Sequence, residues 1–169
     1  MHAMLKKFVD DGFMTEEQEQ VIEDAIANKE SIIISGHRST GIRQVLAAMM
    51  AIAKKSYDTV QVKDMSSLEK EGDYYMIPGI DSDEFEDIVL AAFSKPNSSI
   101  ITIKEPEHPY SIIKIMKKGA KESGDYSQTV NFLEARKMDG VPFLISTTKM
   151  TYNDKKGIDK EKIERFKAF

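Results

Sequence analysis

Gly36 and Gly41, with four residues between them, link an apolar run, Ile32-Ile33-Ile34, to a segment whose apolar residues recur at helical spacing. A strand, a glycine loop and a helix in that order form the setting of a phosphate-binding loop, and the glycine spacing is that of G-x-x-x-x-G-K-[ST]. In such a loop the glycines let backbone N–H groups converge on a phosphate, and the helix N-terminus adds a favourable dipole. The lysine neutralises the outer phosphates and the hydroxyl holds magnesium. This chain has Ile42 and Arg43 at those two positions. Neither can do the work, and Arg43 would repel a metal ion. Residual anion binding by the amides of Gly36, His37, Arg38, Ser39, Thr40 and Gly41, helped by Arg38 or Arg43, competes with a plainer reading: a ligand-free glycine turn. Exchanging Ile42→Lys together with Arg43→Thr is expected to raise nucleotide affinity if the loop keeps its shape.

Other chemistry-bearing groups are weaker. Asp81, Asp83, Glu84, Glu86 and Asp87 could hold a divalent cation through oxygen ligands, but acids at a helix start are explained by its dipole. Glu105, Glu107 and His108 lie on a loop that carries Pro106 and Pro109 and reads as solvated. Ser35, Ser39 or Thr40 as a nucleophile has no base except the neighbouring His37. Lysines 117, 118, 121, 155, 156, 160 and 162 are interleaved with acids, which favours a solvated face over a nucleic-acid strip.

The elements that must position these groups follow from periodicity. Residues 4–13 read as a short lead-in helix, and the opening Met-His-Ala-Met leaves Met4 as a possible native start. Thr15 and Gln18 form a capping box for a helix from about Glu16 to Asn28. After the glycine loop, Ile42, Val45, Leu46, Met49, Met50 and Ile52 make a broad apolar stripe, read as core. Strands are predicted at residues 59–63, 74–77, 99–103 and 141–146, the last continuing to Tyr152. Asp83 and Glu86 are expected to cap a helix running to Phe93, and a further helix covers about 110–121. Ser127 to Lys137 reads as another helix, with Val130 and Leu133 inward and Asp139-Gly140 ending it. Residues 153–169 read as a turn followed by a short helix or an edge strand.

Strands alternating with helices predict an α/β domain with a mainly parallel central sheet flanked by helices. Ligands of such sheets sit beyond the C-terminal strand ends. Residues 36–43, 63–64, 78–83 and 104–108 all follow strands and are expected to surround one crevice. At 169 residues, with 41% hydrophobic and 31% charged content, a single globular domain is expected. The net charge of −4 offers no general attraction for nucleic acid. Zero cysteines exclude disulfides and thiolate metal sites. No apolar run reaches the length of a membrane span and no signal-peptide core is present, so the expected location is the cytoplasm.

The order of segments resembles the secretion traffic ATPases of the type II/IV secretion superfamily, with their RecA-like P-loop NTPase fold, and within it the tight-adherence pilus and conjugation branch. Residues 11–36 resemble that branch's lead-in helix and the strand before its Walker A loop. Val62-Lys63-Asp64 stands where the family has its acidic box, Met76-Ile77-Pro78-Gly79-Ile80 resembles the Walker B segment, and Ile101-Thr102-Ile103-Lys104 the histidine box. The departures are systematic. The acidic-box Glu is Lys63, although Asp64 stays. The Walker B segment keeps Gly79, but its Glu is Ile80, and the box histidine is Lys104. The arginine-bearing connection is shortened to residues 65–73, and the family's N-terminal domain has no counterpart in these residues. The resemblance divides the chain into a lead-in (1–14), a RecA-like domain with degenerate Walker motifs (15–153) and a C-terminal tail (154–169). It implies a catalytically inactive domain serving protein interaction, assembly or regulation. The expected partner is an intact secretion or pilus ATPase, or a second copy. A nucleotide or phosphate sensor and a residual metal-dependent NTPase are the alternatives; ATP with magnesium is not expected as a working cofactor.

Overall fold

The computed structural model describes residues 1–166; residues 167–169, the end of the predicted tail, lie outside the described residues. Helices α1 (Ala3–Asp10) and α2 (Glu16–Ala27) precede β1 (Ser31–Ser35), and α3 (Ile42–Ser56) follows the glycine loop. Next come β2 (Thr59–Gln61), β3 (Tyr74–Ile77), α4 (Phe85–Phe93), β4 (Ser99–Lys104) and α5 (Ile112–Ser123). Three strands follow among the described residues: β5 (Val130–Met138), β6 (Val141–Tyr152) and β7 (Ile158–Glu164).

All seven strands form one sheet in the order β2-β3-β4-β1-β5-β6-β7. The pairs β2/β3, β3/β4, β4/β1 and β1/β5 are parallel, whereas β5/β6 and β6/β7 are antiparallel. The sheet is therefore mixed, with a parallel half and an antiparallel extension.

Right-handed crossovers decide where the helices lie. The crossover through α3 leads from β1 toward the β2 edge, while those through α4 and α5 run the other way. Thus α3, with α1 and α2 packed beside it, covers one face, and α4 with α5 covers the other. Ile32, Ile33 and Ile34 are buried in β1 between the two layers, and the stripe Ile42, Val45, Leu46 and Met49 closes one of them. Leu5, Phe8 and Phe13 join the same core.

The capping box forms as expected: Gln18 N–H donates to Thr15 Oγ1 at 3.1 Å and Thr15 N–H to Gln18 Oε1 at 3.0 Å. Asp83 and Glu86, in contrast, do not cap α4. The helix begins at Phe85, Glu84 at its N-cap makes no side-chain cap bond, and Ser82 Oγ accepts the Glu84 N–H at 3.1 Å.

The principal correction concerns residues 127–137, which are not a helix. Val130–Met138 is strand β5, parallel to β1 and antiparallel to β6. Asp139 and Gly140, with φ of 51° and 78°, form the tight turn of a β-hairpin rather than a helix end. The helical spacing of Val130 and Leu133 is overruled by pairing on both sides of the strand. The tail from 154 resolves in favour of the edge strand, since β7 pairs with β6 from Ile158–Tyr152 to Glu164–Ser146.

Candidate functional site

The C-terminal ends of β1, β3 and β4 bring three of the expected loops together. Gly36 N–H donates to the Lys104 carbonyl at 3.1 Å, tying the loop after β1 to the end of β4. Arg43, on the first turn of α3, reaches Glu105 just beyond β4: its Nε donates to Oε2 at 3.0 Å and its Nη2 to Oε1 at 2.6 Å. This fork-on-fork geometry is the strongest form of a charged hydrogen-bonded pair. Arg38 Nε lies 3.9 Å from the same carboxylate. The Glu105 side chain is only 3% exposed, and that of Arg43 is 41% exposed. The bond to Glu105 raises the Arg43 pKa further, against the opposing pull of burial.

Gly79, after β3, is the floor beneath this pair. A Cβ there would fall 2.8 Å from Arg43 Nη2 and 3.0 Å from Glu105 Oε1. Ile80 beside it is half-buried and packs on the core. Lys63 and Asp64 are used elsewhere. Asp64 caps the 3₁₀ turn Met65–Glu69, accepting the Ser66 N–H at 3.0 Å, and the Ser66 hydroxyl holds its carboxyl below the usual range. Lys63 is exposed, and its N–H donates to Ser67 Oγ at 3.0 Å.

The glycine loop itself bridges a central strand to a helix, but its donors turn inward. Residues Arg38–Thr40 form a 3₁₀ turn. Ser39 N–H donates to His37 Nδ1 at 3.0 Å, Thr40 N–H to the His37 carbonyl at 2.9 Å and Gly41 N–H to the Arg38 carbonyl at 3.3 Å. Thr40 Oγ1 donates to the His37 carbonyl at 2.6 Å. Gly41 supplies the left-handed φ of 77° that redirects the chain into α3. Ile42, at the loop pattern's lysine position, is 0% exposed and lies in the core. Beside the loop, Ser35, His37, Ser39, Thr40 and β5 residues Glu134 to Lys137 line a shallow cleft of about 330 Å³.

These residues do not fit a magnesium nucleotide. The position of the metal-binding hydroxyl carries a guanidinium already committed to a carboxylate, and the lysine position faces the interior. Among the described residues, no group of three or more His, Asp or Glu side chains is arranged to hold a metal ion, the acids of 81–87 included. What the arrangement can do is hold three loops in fixed relation and present Arg38 and His37 to solvent. Sequence pattern alone places Glu105 in a solvated loop and so misses it. Its buried position follows from its place one residue past β4, which a local pattern does not reveal.

The fold and site together define a mixed α/β domain with a glycine loop after its first strand and an internal ion pair at that loop's helix. No family model and no curated protein matches the chain. Among solved structures it is similar to the ATPase DotB of Legionella pneumophila, at 11% identity and a TM-score of 0.46, over 80% of this chain and 49% of that one. The chain thus spans about half the length of that ATPase. Among the described residues no helix is long and apolar enough to cross a membrane.

Proposed function

We propose that this chain is a catalytically inactive, secretion-ATPase-like domain, a degenerate RecA-like unit that serves as an interaction, assembly or regulatory module. One observation carries the reading: Arg43 and Glu105 make a bidentate pair against Gly79, where the loop pattern calls for a hydroxyl and a metal ion. Phosphoryl transfer depends on placing metal, phosphates and water together. A fixed guanidinium at the hydroxyl position, an apolar residue at the lysine position and Ile80 at the Walker B carboxylate remove each contribution. What remains is a rigid frame whose surface can engage another protein, either an intact traffic ATPase or a second copy.

A phosphate-release assay with ATP and magnesium tests the first half of the proposal; the expected trace is flat, and steady turnover overturns it. Co-purification with an intact secretion or pilus ATPase, alongside sedimentation of the chain alone, tests the second half. A single sedimenting monomer with no retained ATPase counts against it.

A phosphate or nucleotide sensor is the second reading, favoured by Arg136 and Lys137 in the lining of the cleft beside the glycine loop. Isothermal titration with ATP separates the two, since sub-millimolar binding without hydrolysis supports the sensor.

A further inference from the structure

The helices do not cover the whole sheet. On the face carrying α5, Phe132 of β5, Thr148 of β6 and Lys162 of β7 stand in one register row, with Met150 and Lys160 in the row on one side and Glu134 and Glu164 in the row on the other. The first turn of α5 and the preceding loop, at Tyr110 and Ile113, wall the other side, and the groove between measures about 600 Å³. Its floor is apolar: Phe132 and Ile113 are half-buried and packed on the core, and Met150 belongs to it.

The rim is positive. Lys104 at the inner end is half-buried, with its ammonium 5.9 Å from the Tyr110 ring centre and 6.0 Å from that of Phe132. Among the described residues it has no carboxylate within 4 Å. At the outer end the period of two in β7 sends Lys160, Lys162 and Glu164 to the groove side and Asp159, Glu161 and Ile163 to the opposite face, with Lys162 Nζ 3.7 Å from Glu164 Oε1. Three ammonium groups against the carboxylates of Glu134 and Glu164 leave this rim net positive on a chain of net charge −4.

We infer that this groove binds an acidic segment of a partner protein, one apolar side chain seating on Phe132 and Met150 between acids that reach Lys104 and the Lys160–Lys162 pair. The spacing favours a peptide over a small anion. Lys104 carries its ammonium across to Phe132 of β5, and the lysine pair stands on β7, two strand intervals further on, which is roughly 10 Å. The outer wall is also an edge strand, whose free backbone groups suit an extended chain. This inference rests on the interaction-module reading and names the chemistry of the partner.

Fluorescence polarisation with the full chain tests it. The probes are labelled hexapeptides, acidic at both ends with one central Phe, Leu or Ile. Saturable binding is expected, weakened about tenfold or more by Lys160→Glu with Lys162→Glu, as for truncation of close charge pairs. The pair Lys54→Glu with Lys55→Glu, at the exposed end of α3 on the other face, changes the net charge equally and is expected to leave affinity unchanged. Equal losses in both variants, or no binding by any peptide, overturn the inference. Displacement by inorganic phosphate but not by chloride of equal ionic strength reassigns the groove to a small anion and overturns it. A concentration-dependent dimer that the peptides dissolve reassigns it to a second copy and equally overturns it. ATP turnover measured on the same sample keeps the two proposals apart: a flat trace without peptide binding discards only the groove, whereas turnover discards the inactive-domain reading.

Discussion

Arg43 and Glu105 clasp each other through two hydrogen bonds of 3.0 and 2.6 Å, with Gly79 directly beneath. The two partners differ in exposure, so removing them is not equivalent. Arg43→Ala strands a carboxylate that is 3% exposed, and among the described residues only Arg38, at 3.9 Å, answers it. The expected cost is about 3 kcal/mol, at the lower end for an uncompensated buried charge. Glu105→Gln leaves a guanidinium that water reaches, and about 1 kcal/mol is expected. Urea unfolding of the two variants checks the order; equal losses would mean that the pair is not what holds the loops.

Ile42→Lys tests the relation between the glycine loop and the core. In an exposed phosphate loop this change would restore a working residue. Here the side chain is 0% exposed, so an ammonium must be buried or the first turn of α3 must open. A loss of about 4 kcal/mol is expected for Ile42→Lys alone, and a larger one when Arg43→Thr also strands Glu105. Thermal unfolding with and without ATP reads both effects, and a stable double variant that gains nucleotide affinity would refute the assignment.

Much of this architecture is readable in the residues, and the failures share a cause. The parallel half follows from local patterns: the Thr15–Gln18 box, the Ile32–Ile34 run and the stripe of α3 all fall where the structure has them. Residues 127–137 mislead because Leu133-Glu134-Ala135-Arg136-Lys137-Met138 consists of good helix formers, and nothing local reports a pairing with β1 nearly a hundred residues earlier. Asp139-Gly140 is the sign that points the other way, because Asp-Gly between apolar runs favours a two-residue hairpin. In the candidate site, the departure of Ile42 and Arg43 from the G-x-x-x-x-G-K-[ST] pattern is legible. The internal pair that Arg43 makes is not, because Glu105 is 62 residues from Arg43 in sequence.

Gly119→Ala sets two effects of opposite sign against each other. Alanine in a helix interior gains roughly 0.5–1 kcal/mol over glycine when there is space. At Gly119 a Cβ would lie 2.5 Å from Phe93 Cδ1, on a ring that is itself buried between α5 and α4. Overpacking of this kind costs about 1–3 kcal/mol, so net destabilisation is expected. Gly124→Ala is not a usable control because of its φ of 74°. A midpoint shift in urea measures the outcome, and a stabilised Gly119→Ala variant would show that α4 and α5 pack less tightly than the geometry indicates.

Glu19 gives the fold a pH dependence of predictable sign. The residue is buried on α2, with Oε1 accepting the His2 N–H at 3.2 Å. Burial is the largest cause raising its pKa, and the neighbouring Glu23 adds to it against the lowering effect of the His2 bond. A carboxyl whose folded pKa is raised above its unfolded value binds protons more readily when folded. The folded state therefore gains from this group as pH falls through the raised pKa and bears its desolvation cost at neutral pH. Glu19→Gln keeps an oxygen for the His2 N–H and removes the charge. The variant should be more stable than the parent at pH 7, and the gap should narrow as pH falls toward the ordinary glutamate range. Parallel thermal melts across that interval check the slope, and a gap that widens toward acid would place the charged form of Glu19 among the stabilising contacts between α1 and α2.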